Sequence, residues 1–307
     1  MKHVTLRQLK VFEAVARHLS FSRAAEELHL TQPAVSMQVK QLEEQAGLPL
    51  TEMLGKKVYL TEAGEEVARH ARRVAQQLRE AGEALDAIKG VRGGRLSIGV
   101  ISTAKYFAPR LLAEFRRSKP GIEINFSVDN RETVVRQLAD NEIDLAIMGQ
   151  PPQEFTTVAE AFADHPLVIV APPDHPLAKR KQIAPALLAD ETFLIREPGS
   201  GTRATMERYF ADSGIAPRHT MEMVGNETIK QAVMAGLGIA FISAHTVSLE
   251  CEVGRLIKLP VAGTPVMRRW FVVHRTEKAL LPVAETFRAF LLAEAPALMA
   301  DKPSGKK

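Results

Sequence analysis

The chain has 307 residues, of which 46% are hydrophobic and 25% charged, and its formal net charge is +4. This length and composition exclude a disordered chain and suffice for at least two domains with hydrophobic cores. The single cysteine, Cys251, excludes an internal disulfide, and the scattered histidines show no metal-ligand spacing. Because no apolar run reaches membrane-spanning length and the N-terminus lacks a signal-peptide core, we expect a cytoplasmic protein without membrane contact. The mild positive charge permits a polyanionic partner.

The first three predicted helices are short and follow one another closely. The inner face of the first consists of apolar residues at three- and four-residue spacing, namely Leu6, Leu9, Phe12, Ala16 and Leu19. Ser22 is the expected N-cap of the second helix, and Thr31 caps the third, which begins at about Gln32. Pro33 is tolerated in that first turn because the amide it lacks would have no intrahelical partner there.

The third helix has two distinct faces. The face predicted to be buried carries Val35, Val39, Leu42 and Ala46. The opposite face is short and polar, and it carries Gln32, Pro33, Ser36, Met37 and Lys40. In a helix-turn-helix, the start of the second helix enters the DNA major groove, where amides and hydroxyls read base edges and lysines meet phosphates. The alternative is the solvated face of an ordinary helical hairpin.

A basic strand after these helices predicts a wing. Residues 56–61 alternate, with Val58 and Leu60 directed inward and Lys57 outward. Lys56 and Lys57 would lie beside phosphates and add affinity without sequence choice, the alternative being a solvated basic turn. The predicted DNA-binding residues are therefore Ser22, Arg23, Thr31, Gln32, Pro33, Ser36, Met37, Lys40, Lys56 and Lys57.

A long helix capped by Thr61 carries a sustained heptad seam. The seam consists of Val67, Ala71, Val74, Leu78, Ala81, Leu85 and Ile88. In a monomer this apolar row would be exposed to water, so we predict a homodimer, the alternative being packing on the same chain. Two recognition helices in one dimer imply double-stranded DNA of twofold symmetry, with half-sites about one helical turn apart.

Gly90, Gly93 and Gly94 predict a hinge, and beyond them the chain is α/β. Strands are predicted at 96–100, 122–128, 145–148, 167–170, 193–196, 221–224, 239–242 and 269–273. Helices are predicted at 109–117, 133–140, 205–213, 228–235 and 282–294. This alternation predicts a mostly parallel sheet covered by helices, in two successive lobes.

Two loops are candidate ligand sites, because ligands of open α/β sheets bind beyond the C-terminal ends of the strands. The first contains Ser102 and Thr103, and the second consists of Gly199, Ser200, Gly201, Thr202 and Arg203. Arg203 could make bidentate contacts to phosphate or carboxylate, whereas the alternative is a capping turn with a solvated arginine. Gln150, Asn226 and Thr228 are weaker candidates that capping or loop polarity would also explain. The loop is not an ATP-type P-loop, because GSGTR lacks the required lysine and spacing.

Residues 6–64 closely resemble the winged helix-turn-helix of LysR-type transcriptional regulators, notably in FSRAAEELHLTQPAVSMQVKQLEEQAG and LTEAG. The resemblance implies a winged helix-turn-helix in residues 1–60, a dimerising linker helix in 61–90 and a two-lobed effector domain like that of periplasmic binding proteins. Lobe one would comprise 91–163 and 264–300, lobe two 164–263, and residues 301–307 would be a disordered tail. This chain departs from the family at Thr51 and Met53, near positions where an aromatic residue and then an arginine are usual.

The segment REPGSGTR, with LGKKVYLTEAG, is most similar to the LysR-type regulators of carbon dioxide fixation operons. That resemblance implies an activator without metal or bound cofactor, whose effector is a phosphorylated sugar metabolite or NADPH. It also implies a homotetramer, with RNA polymerase as a candidate partner. Alternatives are a LysR-type regulator of another metabolic operon with a different organic-acid effector, and an enzyme fused to a DNA-binding domain. The sequence disfavours the enzyme because it has no G-x-S-x-G elbow or other motif placing a base beside a nucleophile.

Overall fold

The computed structural model of the chain describes residues 3–55, 57–88 and 93–299. The fold divides into two compact units, Met1–Val91 with Asp140–Glu142 and Arg92–Ala139 with Ile143–Lys307. Lys56, Gly90 and the tail 301–307 lie outside the described residues. Among the residues that are described, no helix combines the length and the apolar composition needed to cross a bilayer.

Three helices build the core of the first unit: α1 (Leu6–His18), α2 (Phe21–Glu27) and α3 (Gln32–Ala46). Phe12, Val35 and Leu42 are completely buried between them, and the predicted start of α3 at Gln32 is confirmed. The predicted inner face of α1 is wrong at its two ends. Leu6 is 54% and Leu19 47% exposed, because the helix presents Val11 and Val15 to the core and ends before Leu19.

The N-cap predicted for α2 is also wrong. Ser20 caps this helix, with its hydroxyl accepting a hydrogen bond from Arg23 N at 3.3 Å, so Ser22 lies inside the first turn. At α3 the prediction is confirmed, since the Thr31 hydroxyl accepts from Ala34 N at 3.4 Å.

A two-stranded wing follows, formed by β1 (Thr51–Leu54) and β2 (Lys57–Leu60) in antiparallel register. The structure confirms a buried Val58 and an exposed Lys57, whereas β1 was not predicted. The long helix α4 (Glu62–Ile88) then begins as expected, because the Thr61 hydroxyl accepts from Gly64 N at 3.0 Å. Gly64 is required here, since a Cβ would lie 1.9 Å from Leu50 O.

The second unit alternates strands and helices. In chain order these are β3 (Gly94–Ile101), α5 (Ala108–Ser118), β4 (Ile122–Asp129), α6 (Arg131–Ala139), β5 (Leu145–Met148), β6 (Thr157–Ala171), β7 (Thr192–Arg196), α7 (Gly201–Ser213), β8 (His219–Met223), α8 (Asn226–Met234), β9 (Ile239–Ser243), α9 (Ser248–Glu252), β10 (Ile257–Lys258), β11 (Val266–Arg275) and α10 (Pro282–Met299).

The strands of this unit form one sheet in the order β4-β3-β5-β11-β6-β9-β7-β8, with β10 paired to β6. The pairs within β3–β5 and within β7–β9 are parallel, as predicted. The prediction of a mostly parallel sheet is wrong at its centre, where β6 and β11 pair antiparallel with each other and with their neighbours. These two long strands carry the chain from one lobe to the other, so each belongs to both lobes.

Each lobe has its own aromatic core. Lobe one buries Phe115, Trp270 and Phe287, and lobe two buries Phe193 and Phe241. The β6–β11 ladder runs past both cores, and its register shifts between Trp270 and Phe271.

Candidate functional site

The exposed face of α3 is the candidate DNA interface. Gln32, Pro33 and Lys40 are exposed on one side of the helix, together with Met37, which is 54% exposed. Ser36 lies on the same side and is half-buried. Ser22 and Arg23 are exposed in the first turn of α2. The structure thus brings neutral hydrogen-bonding groups and one lysine together on a surface that a DNA groove can receive.

The wing is tied directly to α3. Glu43 Oε1 accepts hydrogen bonds from Leu50 N at 2.9 Å, Thr51 N at 3.0 Å and the Thr51 hydroxyl at 3.1 Å. Thr51, one of the two departures from the pattern of the resembled family, therefore holds the wing to α3 through its amide and its hydroxyl. Met53 is 57% exposed on the same strand.

A cleft between the lobes of the second unit encloses a cavity of about 80 Å³. Both predicted loops meet there, so the candidates that line it are Ser102, Thr103, Gln150, Gly199, Ser200, Gly201 and Thr202. Polar and charged residues that the sequence analysis did not select also line it, namely Asn130, Arg131, Glu132, His165, Arg196, Glu197 and Arg268.

The second half of the glycine-serine loop is helical, because α7 begins at Gly201 instead of the predicted Thr205. Ser200 is the N-cap residue, and its side chain makes no capping hydrogen bond. The first backbone amides of a helix have no intrahelical acceptor. With Gly201 and Thr202 both at the cleft, this helix start offers donors to an anion.

Arg203, the predicted anion-binding arginine, does not line the cleft. Its guanidinium donates to Glu207 Oε1 at 2.9 Å, to Glu222 Oε2 at 2.6 Å and to Arg196 O at 3.0 Å. Two carboxylates therefore balance its charge at the outer side of α7. A residue in the first turn of a helix can point away from the helix start, which places the Arg203 side chain outside the lining of this cleft.

Arg196, at the end of β7, is buried in the cleft wall at 5% exposure. Its Nε donates to Glu197 Oε2 at 2.7 Å, and another of its nitrogens donates to Asn226 Oδ1. Burial alone raises the pKa of the Glu197 carboxyl, but the Arg196 guanidinium outweighs this effect and holds that pKa at about 2. Arg196 and Glu197 are thus an ionised pair that contributes no net charge to the cleft.

Arg268, on β11, is the cleft arginine with an unbalanced charge. It donates to Gly149 O at 2.8 Å, Gln150 Oε1 at 3.3 Å, Gly201 O at 3.2 Å and Thr205 Oγ1 at 2.6 Å. Within the described part of the chain, these hydrogen-bond partners are all neutral. Burial and neighbouring arginines lower its pKa, although a guanidinium remains protonated at neutral pH. An anion in the cleft would supply the missing negative charge.

The remaining predicted ligand residues lie outside the lining of the cleft. Asn226 is 2% exposed and positions Arg196 through the hydrogen bond described above. Thr228 is exposed in the first turn of α8. Two hydrogen bonds join the lobes near the rim, from Arg196 Nη2 to Ser102 Oγ at 3.5 Å and from Tyr106 Oη to Glu227 Oε1 at 2.5 Å.

Two family models match the chain over the two units just described. Residues 6–65 match the bacterial regulatory helix-turn-helix protein model of the lysR family, and residues 89–296 match the LysR substrate binding domain. The chain belongs to the LysR family of transcriptional regulators. This membership confirms the predicted fold class and the prediction of a DNA-binding regulator instead of an enzyme.

Within the family, the chain is similar to regulators of carbon dioxide fixation. It is 55% identical over 293 residues to the RuBisCO operon transcriptional regulator of Allochromatium vinosum, covering 95% of this chain and 97% of that protein. The Synechocystis CcmR regulatory domain, solved in complex with 2-PG, is 42% identical, with a TM-score of 0.63 over 65% of this chain and 96% of that one. A full-length OxyR variant from Pseudomonas aeruginosa is 27% identical, with a TM-score of 0.73 over 94% of each chain. The resemblance to carbon dioxide fixation regulators is confirmed.

Proposed function

We propose that the chain binds an operator beside carbon dioxide fixation genes and changes their transcription when a small anionic metabolite enters the cleft. The observation that carries this proposal is Arg268, whose guanidinium lines the cleft among neutral partners. The start of α7 and the hydroxyls of Ser102 and Thr202 add donors for the same anion.

The size of the cavity favours a compact ligand. Ligand pockets for drug-sized molecules measure roughly 300–1,000 Å³, whereas this cavity is about 80 Å³. A small phosphorylated acid therefore suits the cleft better than NADPH, which would require the lobes to separate first. The Synechocystis domain in complex with 2-PG supports this choice and makes 2-PG the first compound to test.

DNA binding in this proposal uses two copies of the chain. Leu78 is 53% and Leu85 56% exposed on α4, so the outer part of the predicted seam is free to pair with a second copy. Ala71 is buried at 2% exposure, and the side chain of Ile88 is outside the described set. The paired α3 helices would read twofold-symmetric double-stranded DNA in the cytoplasm, with two dimers forming a tetramer that can contact RNA polymerase.

Mapping of the bound DNA across the genome tests the target of this regulator. We expect enrichment beside genes for RuBisCO and related enzymes. Enrichment beside unrelated catabolic genes instead would contradict the proposed target and favour a different organic-acid effector.

Calorimetry of the full chain with 2-PG and with NADPH tests the ligand class. We expect 2-PG to bind, NADPH to bind much more weakly, and the DNase footprint to change when 2-PG is added. The cleft assignment is wrong if neither anion binds, and the size argument is wrong if only NADPH does.

A further inference from the structure

His165 lies at the centre of the sheet, on β6, where it forms part of the cleft wall. It is only 3% exposed, and its ring stacks on Trp270 with centroids 3.9 Å apart and planes 19° from parallel. Within the described part of the chain, neither Nδ1 nor Nε2 has a hydrogen-bond partner. Burying an unpaired polar group is costly, so a native protein that keeps one at a cleft usually uses it there.

Gly149 lines the cleft and packs against the Nδ1 side of the His165 ring. A Cβ at this position would lie 3.0 Å from His165 Nδ1, so the missing side chain leaves only the Gly149 backbone beside that buried nitrogen. The backbone of Gly149 does not lie in the left-handed region, so its conformation does not itself require glycine. Its carbonyl oxygen also accepts the 2.8 Å hydrogen bond from Arg268. The imidazole and the unbalanced guanidinium therefore flank the same backbone position.

The imidazole is neutral in this environment. Burial lowers the pKa of His165 to about 3, with further lowering by His245 and Arg268. A neutral imidazole has one N–H donor and one acceptor nitrogen, and its tautomer follows the partner that it meets. An anionic oxygen beside Arg268 would favour the tautomer with hydrogen on Nδ1.

We propose that His165 is a specificity-determining residue of the cleft, whose Nδ1–H donates a hydrogen bond to an oxygen of the small anion held by Arg268. This assignment rests on the proposed function, since it requires an anionic ligand in the cleft. Arg268 supplies charge, whereas His165 supplies a directional donor that selects ligands with an acceptor oxygen at this position. Binding of the ligand also gives the buried Nδ1 the hydrogen-bond partner that the described part of the chain does not supply.

Calorimetry with 2-PG on the full chain tests the hydrogen bond with two variants. His165→Phe keeps an aromatic ring beside Trp270 and removes the Nδ1 donor, and we expect roughly tenfold weaker binding, as for the loss of one hydrogen bond. Gly149→Ala retains the imidazole and its stacking on Trp270 but puts a methyl group 3.0 Å from Nδ1, so it should weaken binding at least as much. His219→Phe, at an exposed position on β8, is the matched control and should leave the affinity unchanged.

Nitrogen NMR of the histidine side chains provides a readout that altered packing alone would not reproduce. Addition of 2-PG should move one Nδ1 resonance to the protonated position, and that resonance should be missing from the spectrum of His165→Phe. If that variant does not fold, Gly149→Ala decides the outcome through its affinity.

Two results overturn the assignment in distinguishable ways. Wild-type affinity for 2-PG in a folded His165→Phe, or in Gly149→Ala if the first variant does not fold, would exclude the His165 hydrogen bond while leaving the proposed function intact. Absence of binding by the wild-type chain to both 2-PG and inorganic phosphate would exclude the anion site itself, and the role of His165 with it.

Discussion

Three arginines near the glycine-serine loop differ in what balances their charge. Arg203 faces two glutamates, and Arg196 is paired with Glu197, so neither has charge left for a ligand. Arg268 is surrounded by carbonyl, amide and hydroxyl oxygens. An electrostatic contribution to anion binding therefore depends on the surroundings of a guanidinium more than on its presence in a motif.

Replacing Arg268 with Met should weaken 2-PG binding by about 10- to 100-fold, the cost expected for losing hydrogen bonds to a charged group. Arg203→Met is the matched control. It breaks ion pairs at the protein surface, which contribute little, and should change the affinity by less than about twofold. Calorimetry on both variants checks this. The reverse order of effects would restore Arg203 as the ligand-binding arginine.

At the scale of elements, the recognition helix and the wing act as one body. Glu43 on α3 accepts three hydrogen bonds from Leu50 and Thr51, so the wing strand is fixed relative to the reading face. In the proposed DNA complex, contacts to phosphates by the wing and contacts to bases by α3 would then occur in one docking geometry.

The two kinds of contact should separate in binding assays. Gln32→Ala and Ser36→Ala should reduce the preference for operator over random DNA by roughly 1–3 kcal/mol if each reads a base. Lys57→Ala should weaken binding to both DNAs alike and reduce the salt slope by about 1. Electrophoretic titrations at several salt concentrations measure both quantities. Equal loss of specificity in all three variants would contradict these roles.

Elements specified by local chemistry were predictable from the sequence. The starts of α3 and α4 follow from Thr31 and Thr61, whose hydroxyls cap the helix that begins beside them. The start of α7 was missed because Ser200 makes no side-chain cap. Strand β1 was missed because three of its four residues are exposed and its order depends on Glu43.

Only part of the candidate site could be predicted from the sequence, because only part of it is specified by local chemistry. The two loops could be selected from the sequence, because hydroxyls and glycines beside predicted helix starts form a local pattern. His165 and Arg268 lie on β6 and β11, far apart in the chain and far from either loop in sequence. Their meeting results from the antiparallel crossing of the two long strands, which alternating β and α segments do not reveal.

For the whole molecule, we expect assembly to depend on the exposed part of the apolar row of α4, which includes Leu78 and Leu85. Leu78→Asp would place a charge in the paired seam, where it cannot be hydrated, and should dissociate the dimer. Gln77→Asp changes an exposed neighbouring residue on α4 in the same way and should leave the dimer intact. Light scattering measures the oligomeric mass of both. An unchanged mass for Leu78→Asp would mean that the seam packs elsewhere.

The β6–β11 ladder joins the two lobes over ten paired positions of β11. Because each strand serves both lobes, relative motion of the lobes must twist this ladder. Hydrogen exchange should therefore remain slow in residues 157–171 and 266–275 with and without 2-PG, whereas amides 199–203 should slow only with the ligand. Mass spectrometry of the exchanged peptides measures the difference. Fast exchange in the ladder of the free protein would contradict it.

A paired ladder resists torsion more than a single flexible connection does. This stiffness sets an energetic threshold. The free energy that a ligand gains from its contacts would have to exceed the cost of twisting the strands before the lobes change their arrangement. Under the proposed function, an anion such as phosphate that does not engage both lobes would then compete for the cleft without changing the arrangement of the lobes.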